Sequence, residues 1–146
     1  MIQNPYIAVS GNIGSGKTTL VEQLSNQHDL QAFFETNQQN PYLSDFYQNM
    51  HQWAFHSQSF FLIQKFKIHQ QIQGLNKVAI LDRTLYEDAE IFAKRLYLSQ
   101  KITARDYALY QDLYQTLRRS MHPPKLMIYL LPFKNLTRAH CLKRKA

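Results

Sequence analysis

Cysteine occurs once in the 146 residues, at Cys141, so no disulfide framework can form within the chain, and a reducing cytoplasm is its natural setting. No apolar run reaches membrane-spanning length, although 45% of the residues are hydrophobic, and the chain reads as soluble, with no membrane partner. The opening Met1-Ile2-Gln3-Asn4-Pro5 lacks the basic and then apolar pattern of a signal peptide. The histidines show no paired spacing on a common helix face and no second soft ligand accompanies Cys141, which leaves no basis for a transition-metal site. There is no repeat, linker or low-complexity segment, and the length suits one domain, 1–146, with a real core. Acidic residues stop at Asp112. The formal charge is +7, yet Lys134, Arg138, Lys143, Arg144 and Lys145 all lie in the last thirteen residues. Setting them aside leaves twelve basic against ten acidic side chains, a net of +2. A nucleic-acid partner would rest on that tail rather than on a basic face, and none is expected.

Glycine is scarce too, with four residues, but three fall in one short stretch. Tyr6-Ile7-Ala8-Val9-Ser10 runs into Gly11-Asn12-Ile13-Gly14-Ser15-Gly16-Lys17-Thr18-Thr19, an apolar strand feeding a complete G-x-x-x-x-G-K-[ST] loop. The glycines let backbone N–H groups close around an anion. Lys17 can reach the outer phosphates of ATP, and the Thr18 hydroxyl can complete the shell of a Mg2+ ion. Thr18 to His28 reads as a helix whose positive end adds to the anion site. A ligand-free glycine turn is the bland alternative, and four fixed positions in strand–loop–helix context argue against it. The basic tail either interacts with ATP phosphates or is simply solvated.

Four short apolar segments, Ile7–Ser10, Ala32–Glu35, Val78–Asp82 and Leu126–Leu131, alternate with helical patterns, as in a parallel sheet with crossover helices. After the turn at Asn40-Pro41-Tyr42, the aromatic-rich stretch from Leu43 to Leu75 reads as one short and one long helix. Tyr86 to Gln100 and Thr103 to Ser120 form a helical hairpin with Tyr107, Tyr110, Tyr114 and Leu117 on one stripe, and Pro123-Pro124 stop its second arm.

Ligands of open parallel sheets sit beyond the carboxyl ends of the strands. Three strands end in polar residues: the loop itself, Glu35, and Asp82-Arg83. Glu35 is either a solvated strand end or a carboxylate facing the outermost phosphate, placed to take a proton from a substrate hydroxyl. Asp82 has the form of a magnesium-associated acid, and Arg83 beside it can neutralise charge on a transferred phosphoryl group.

With these residues in hand, the chain resembles the deoxyribonucleoside kinases, particularly the bacterial deoxyadenosine and deoxyguanosine kinases. The markers are Gly11 to Thr18, then Asn40-Pro41-Tyr42-Leu43 with Phe46-Tyr47, then Trp53-Ala54-Phe55-His56-Ser57-Gln58, and finally Asp82-Arg83-Thr84 with Tyr86-Glu87-Asp88 and Ile91-Phe92-Ala93. The resemblance implies an α/β fold, the three-layer α/β/α P-loop kinase with a parallel sheet. It also implies ATP-dependent phosphorylation of the 5′-hydroxyl of a deoxyribonucleoside, a purine being favoured, and a homodimer or a heterodimer with a related kinase subunit.

Position by position, the resemblance makes Glu35 the general base, Arg83 the arginine that holds the 5′-hydroxyl and the incoming phosphate, and Asp82 its acidic neighbour. Tyr47 falls on the tyrosine that contacts the sugar 3′-oxygen, Gln58 on the glutamine that reads the base edge, Phe92 on the ring that stacks on the base, and Asp88 on the base-reading aspartate. Lys65 stands where many members have arginine, and a lysine cannot reproduce a planar two-point donor. Trp53, Phe55, Phe60 and Phe61 read as core. Gln58, on an otherwise apolar helix segment, needs a partner that a nucleobase would provide.

The resemblance covers residues 7 to about 130. Beyond Leu131, Pro132-Phe133-Lys134-Asn135-Leu136 replaces the Ser-Pro-Glu-like turn of the family, and the expectation is four strands with the lid and the family's fifth strand missing, leaving a bare sheet edge. Loss of resemblance together with loss of acids is what a truncated or out-of-frame coding sequence produces. Lys143 and Arg144 lie where lid-side basic residues begin. A second reading therefore stands beside the enzyme: a catalytically impaired nucleotide- or nucleoside-binding remnant, or a subunit partner of a full-length kinase. A nucleoside-monophosphate kinase fits less well, because no arginine precedes Gln58 to receive a substrate phosphate.

Overall fold

The computed structural model of the chain describes residues 4–35, 37–133 and 136–142. They fall into two compact units. The first comprises Met1–Glu35, Ile68–Thr84 and Pro123–Ala146, and the second Thr36–Lys67 and Leu85–His122.

The first unit is built on a sheet of β1 (Tyr6–Gly11), β2 (Gln31–Phe33), β3 (Ala79–Asp82), β4 (Leu126–Phe133) and β5 (Leu136–Leu142) in the order β2-β3-β1-β4-β5. The first four are parallel, as expected: Tyr6 pairs with Ala79, Ile7 with both Ile80 and Leu126, and Ala32 with Ile80. Strand alternation sorts the apolar residues onto two faces. Tyr6, Ala8, Ala79, Leu81 and Met127 meet Ile68 and Ile72 of the long helix α3 (Met50–Gln73). Val9, Ile80, Ile128 and Leu130 meet Leu20, Val21 and Leu24 of α1 (Lys17–His28). Helix, sheet and helix thus form the three expected layers. The Asn4 side-chain amide reaches the carbonyls of Ile72, Gln73 and Leu75, closing the end of α3 at the foot of the sheet.

The fifth strand corrects the expectation of a bare edge. β5 runs antiparallel to β4, with Leu130 opposite Ala139 and Met127 opposite Leu142. Only two positions separate the strands in sequence, enough for an antiparallel return and far too few for the dozen or more residues of a parallel crossover. Lys143 and Arg144 lie outside the described residues.

In the second unit, α2 (Leu43–Gln48) and the first three-quarters of α3 precede a helical hairpin. Its first arm is α4 (Leu85–Glu87), a π-helical stretch at Asp88–Ala93 and α5 (Lys94–Leu98); its second is α6 (Ala104–Arg118). The Thr103 hydroxyl accepts from the Asp106 N–H at 3.1 Å and caps α6. The arms run antiparallel: the Tyr97 and Tyr107 rings stack at 4.3 Å, Tyr114 Oη donates to Glu90 Oε1 at 3.0 Å, and Arg118 lies over the Tyr86 ring. One core joins Leu62, Leu85, Ala89, Ala93, Tyr110 and Tyr114, with Phe55 packed against it; another joins Phe46, Ala54 and Ile102, with Trp53 against it. Phe60 and Phe61, expected in the core, are half-buried and meet edge to face.

Candidate functional site

Two glycines make the loop after β1 possible. Gly16 takes φ 87°, a left-handed conformation, at the position that caps α1, where no side chain satisfies the first N–H groups of the helix. Gly11 lies so close to β4 that a Cβ would come within 2.8 Å of the Leu130 carbonyl oxygen and 2.9 Å of Ser15 Oγ. Lys17 is buried and its Nζ donates to the Asn12 carbonyl at 2.8 Å, and the Ser15 N–H bonds the same carbonyl. Ser15 Oγ is buried with no hydrogen-bond partner among the described residues. A native orphan of this kind asks for an acceptor, and a phosphate oxygen is one. Asn12, Ile13, Gly14, Gly16, Thr18 and Thr19 are exposed.

The carboxyl ends of β2 and β3 bring the other expected residues to this loop. Thr18 Oγ1 donates to Asp82 Oδ2 at 2.7 Å. Asp82 is almost wholly buried at the end of a strand whose four residues are all buried. Arg83 follows in a left-handed conformation, φ 68°, rare for a side-chain-bearing residue and costing about 1–3 kcal/mol. Three contacts hold it there: its N–H donates to the Val9 carbonyl at 2.9 Å, its Nε pairs with Glu35 Oε1 at 2.6 Å, and its Nη2 reaches the Gly11 carbonyl at 3.5 Å. Because β2 ends at Phe33, Glu35 lies two residues past the strand, free of the ladder and able to turn to Arg83. Lys17, Thr18, Glu35, Asp82 and Arg83 therefore gather in one unit, around one loop. Thr18 and Asp82 present two hard oxygen donors in contact, a pair suited to Mg2+.

The second unit holds the residues that the resemblance assigns to base and sugar recognition. Gln58 and Lys65 are buried and two turns apart on α3, the same face as Ala54, Ser57 and Leu62. Asp88 is buried at the first position of the π-helical stretch, and Phe92, one turn on, is half-buried. Tyr47 is exposed at the end of α2. π-Helical turns recur at functional sites, and the sequence pattern gives no sign of this one. Sequence reasoning also left Asn40 without a role. Its Nδ2 donates to Ser57 Oγ at 3.0 Å and its Oδ1 accepts from the Tyr42 N–H at 3.0 Å, pinning the turn before α2 to the residue preceding Gln58. The signal was legible: a buried Asn before Pro41 needs partners.

Among the described residues, no helix is long and apolar enough to cross a membrane.

Comparison with known proteins matches residues 7–145 to the family model described as deoxynucleoside kinase. The match runs past residue 131, where the motifs read from the sequence give out. The chain is 40% identical over 139 residues to a deoxyadenosine kinase of Dictyostelium discoideum, covering 94% of this chain and 56% of that protein. It is 33% identical over 130 residues to a deoxyadenosine/deoxycytidine kinase of Bacillus subtilis, covering 88% and 60%. Among solved structures, a deoxyadenosine kinase from M. mycoides with dCMP and dCDP bound superposes with a TM-score of 0.76 at 31% identity, over 85% of this chain and 62% of that one. The same enzyme with bound dATP gives 0.74 at 30% identity, over 85% and 63%. The chain thus spans roughly three-fifths of the length of these relatives.

Proposed function

The chain belongs to the deoxynucleoside kinase family, and from that premise we propose that it transfers the γ-phosphoryl group of ATP to the 5′-hydroxyl of a deoxyribonucleoside, a purine being favoured. The observation that carries this reading is the Glu35–Arg83 ion pair at 2.6 Å, with Arg83 reaching the Gly11 carbonyl of the phosphate loop. A carboxylate and a guanidinium locked together beside a phosphate loop suit a reaction in which one takes a hydroxyl proton while the other steadies the phosphoryl charge. Glu35 is half-buried and Arg83 buried, so the arginine is the fixed member of the pair.

In this reading the loop from Gly11 to Thr19 holds the ATP phosphates, with Lys17 on the outer ones and Ser15 Oγ supplied with its acceptor. Thr18 and Asp82 hold Mg2+, which when bound neutralises phosphate charge and orients the transferred group. In the second unit Gln58, Lys65, Asp88 and Phe92 receive the base and Tyr47 the sugar. The purine preference draws on the relatives' names, which include deoxyadenosine and deoxyguanosine kinases. Residues 1–146 act as one kinase domain, and the single cysteine accords with a cytoplasmic setting. The partner is a second copy of the chain or a related subunit, a reading supported by Leu109 and Leu113, exposed one turn apart on α6.

The experiment is a phosphoryl-transfer assay on purified protein with ATP, Mg2+ and each of the four natural deoxyribonucleosides, run beside Glu35→Gln. Loss of a general base predicts a fall of about 10²–10⁴-fold in turnover for the variant. Turnover that survives Glu35→Gln overturns the assigned base. No turnover with nucleotide binding retained removes the kinase reading for this chain.

A further inference from the structure

The π-helical stretch Asp88–Ala93 carries a buried carboxylate, and the residue that faces the stretch from α6 carries a buried hydroxyl with nothing to bond. Tyr110 is wholly buried, and its hydroxyl has no hydrogen-bond partner among the described residues. This is unusual, because a buried phenol normally finds an acceptor. Its neighbours on α6 do: Tyr114 donates to Glu90 and Tyr107 accepts from Gln111 at 2.7 Å. Around Tyr110 the side chains of the stretch are small. Ala89 and Ala93, both fully buried, belong to the same core cluster as Tyr110. Asp88 immediately precedes Ala89 in this π-helical turn, so its carboxylate is carried by the segment that packs against Tyr110. The Asp88 charge acts on the Tyr110 phenol and, with burial as the larger cause, raises its pKa. The hydroxyl therefore keeps its proton and stays a donor.

We propose that Tyr110 is a positioning residue for Asp88: its hydroxyl serves as a donor to the Asp88 carboxylate when a nucleobase engages that carboxylate, fixing the angle at which the base edge is read. This rests on the nucleoside-binding reading of Asp88 given above. The free protein carries the unsatisfied hydroxyl and the bound protein satisfies it, so selectivity for the base is gained at the expense of stability in the unliganded state.

The test is Tyr110→Phe, which removes one oxygen and leaves the ring, measured for binding of deoxyadenosine and of purine deoxyriboside, which lacks the exocyclic amine, by calorimetry. Thermal unfolding of the unliganded protein is followed alongside. The expected result has three parts. The variant unfolds at the same or a higher temperature, because a buried orphan is gone. It binds deoxyadenosine on the order of tenfold more weakly, with a smaller ratio between the two nucleosides. In an Asp88→Asn background, Tyr110→Phe has no further effect on that ratio, a coupling that a packing role alone would not produce. Unchanged affinity and ratio in Tyr110→Phe, or the same loss with and without Asp88, overturns the proposal while the nucleoside reading stands. No deoxyribonucleoside binding by the unaltered chain overturns both.

Discussion

Thr18 and Asp82, sixty-four positions apart, meet through a 2.7 Å hydrogen bond from hydroxyl to carboxylate, joining the first turn of α1 to the end of β3. The two elements reach that point by independent routes, one from the phosphate loop and one from the neighbouring strand. The contact orients the carboxylate toward the loop, beside the loop residue that the motif assigns to a metal.

Asp82→Asn keeps the shape and removes the charge. The Thr18 hydroxyl still finds an oxygen acceptor, so the fold is expected to hold, while the carboxylate charge of the proposed Mg2+ site is lost. Turnover should fall on the order of a hundredfold or more, and half-maximal activity should need more Mg2+. A magnesium titration of activity in both proteins checks this, and superimposable curves would remove Asp82 from the metal site.

Gly11→Ala should destabilise the first unit without touching the second. The new Cβ meets the Leu130 backbone oxygen at 2.8 Å, and backbone cannot turn aside as a flexible side chain can. Overpacking of this kind costs about 1–3 kcal/mol. Denaturant unfolding, followed by circular dichroism, should show that loss in the midpoint.

Sequence and structure agree most closely where local pattern and tertiary role coincide. The phosphate loop, the four parallel strands and the placement of Asp82 and Arg83 at the end of β3 follow from glycine spacing, apolar runs and the rule for open sheets, whereas Glu35, read as the last residue of its strand, lies two residues past β2. The π-helical stretch at Asp88–Ala93 did not show, because one extra residue in a turn barely alters the apolar period. The fifth strand was missed for a different reason. Leu136–Leu142 carries neither the turn signal nor the clean alternation of a hairpin arm, and its pairing with β4 is fixed by the edge that β4 offers. The partners of Asn40 were open to inference from its burial, and the orphaned Tyr110 hydroxyl was not, since only three-dimensional neighbours reveal a missing acceptor.

The exposed pair Leu109 and Leu113 leads to a prediction about assembly. Two exposed leucines one turn apart on a helix whose buried residues, Tyr110 and Tyr114, lie on a neighbouring face make an apolar stripe for a second helix. Replacing both with glutamate should leave the core untouched and convert the proposed dimer to monomer, as read by light scattering after gel filtration. An unchanged mass would assign the stripe no part in assembly.

Alkaline pH should unfold the second unit through its tyrosines. Burial raises the pKa of Tyr110, Tyr114 and Tyr107 above the ordinary value of 10, with the Asp88 charge adding for Tyr110 and the bond to Glu90 for Tyr114. In the fold these phenols hold their protons, whereas in the unfolded chain they release them near pH 10. Above that pH the unfolded state binds fewer protons than the native state, so stability must fall as pH rises. The contribution is fully present below pH 10, and the two wholly buried tyrosines, Tyr110 and Tyr114, each remove up to about 1.4 kcal/mol per pH unit above it until their own native-state groups titrate. Tyr110→Phe deletes one of these protons from the balance. Urea midpoints measured from pH 9 to pH 12 should therefore decline more shallowly in the variant than in the unaltered protein, and parallel declines would show that the Tyr110 phenol ionises as readily in the fold as in the unfolded chain.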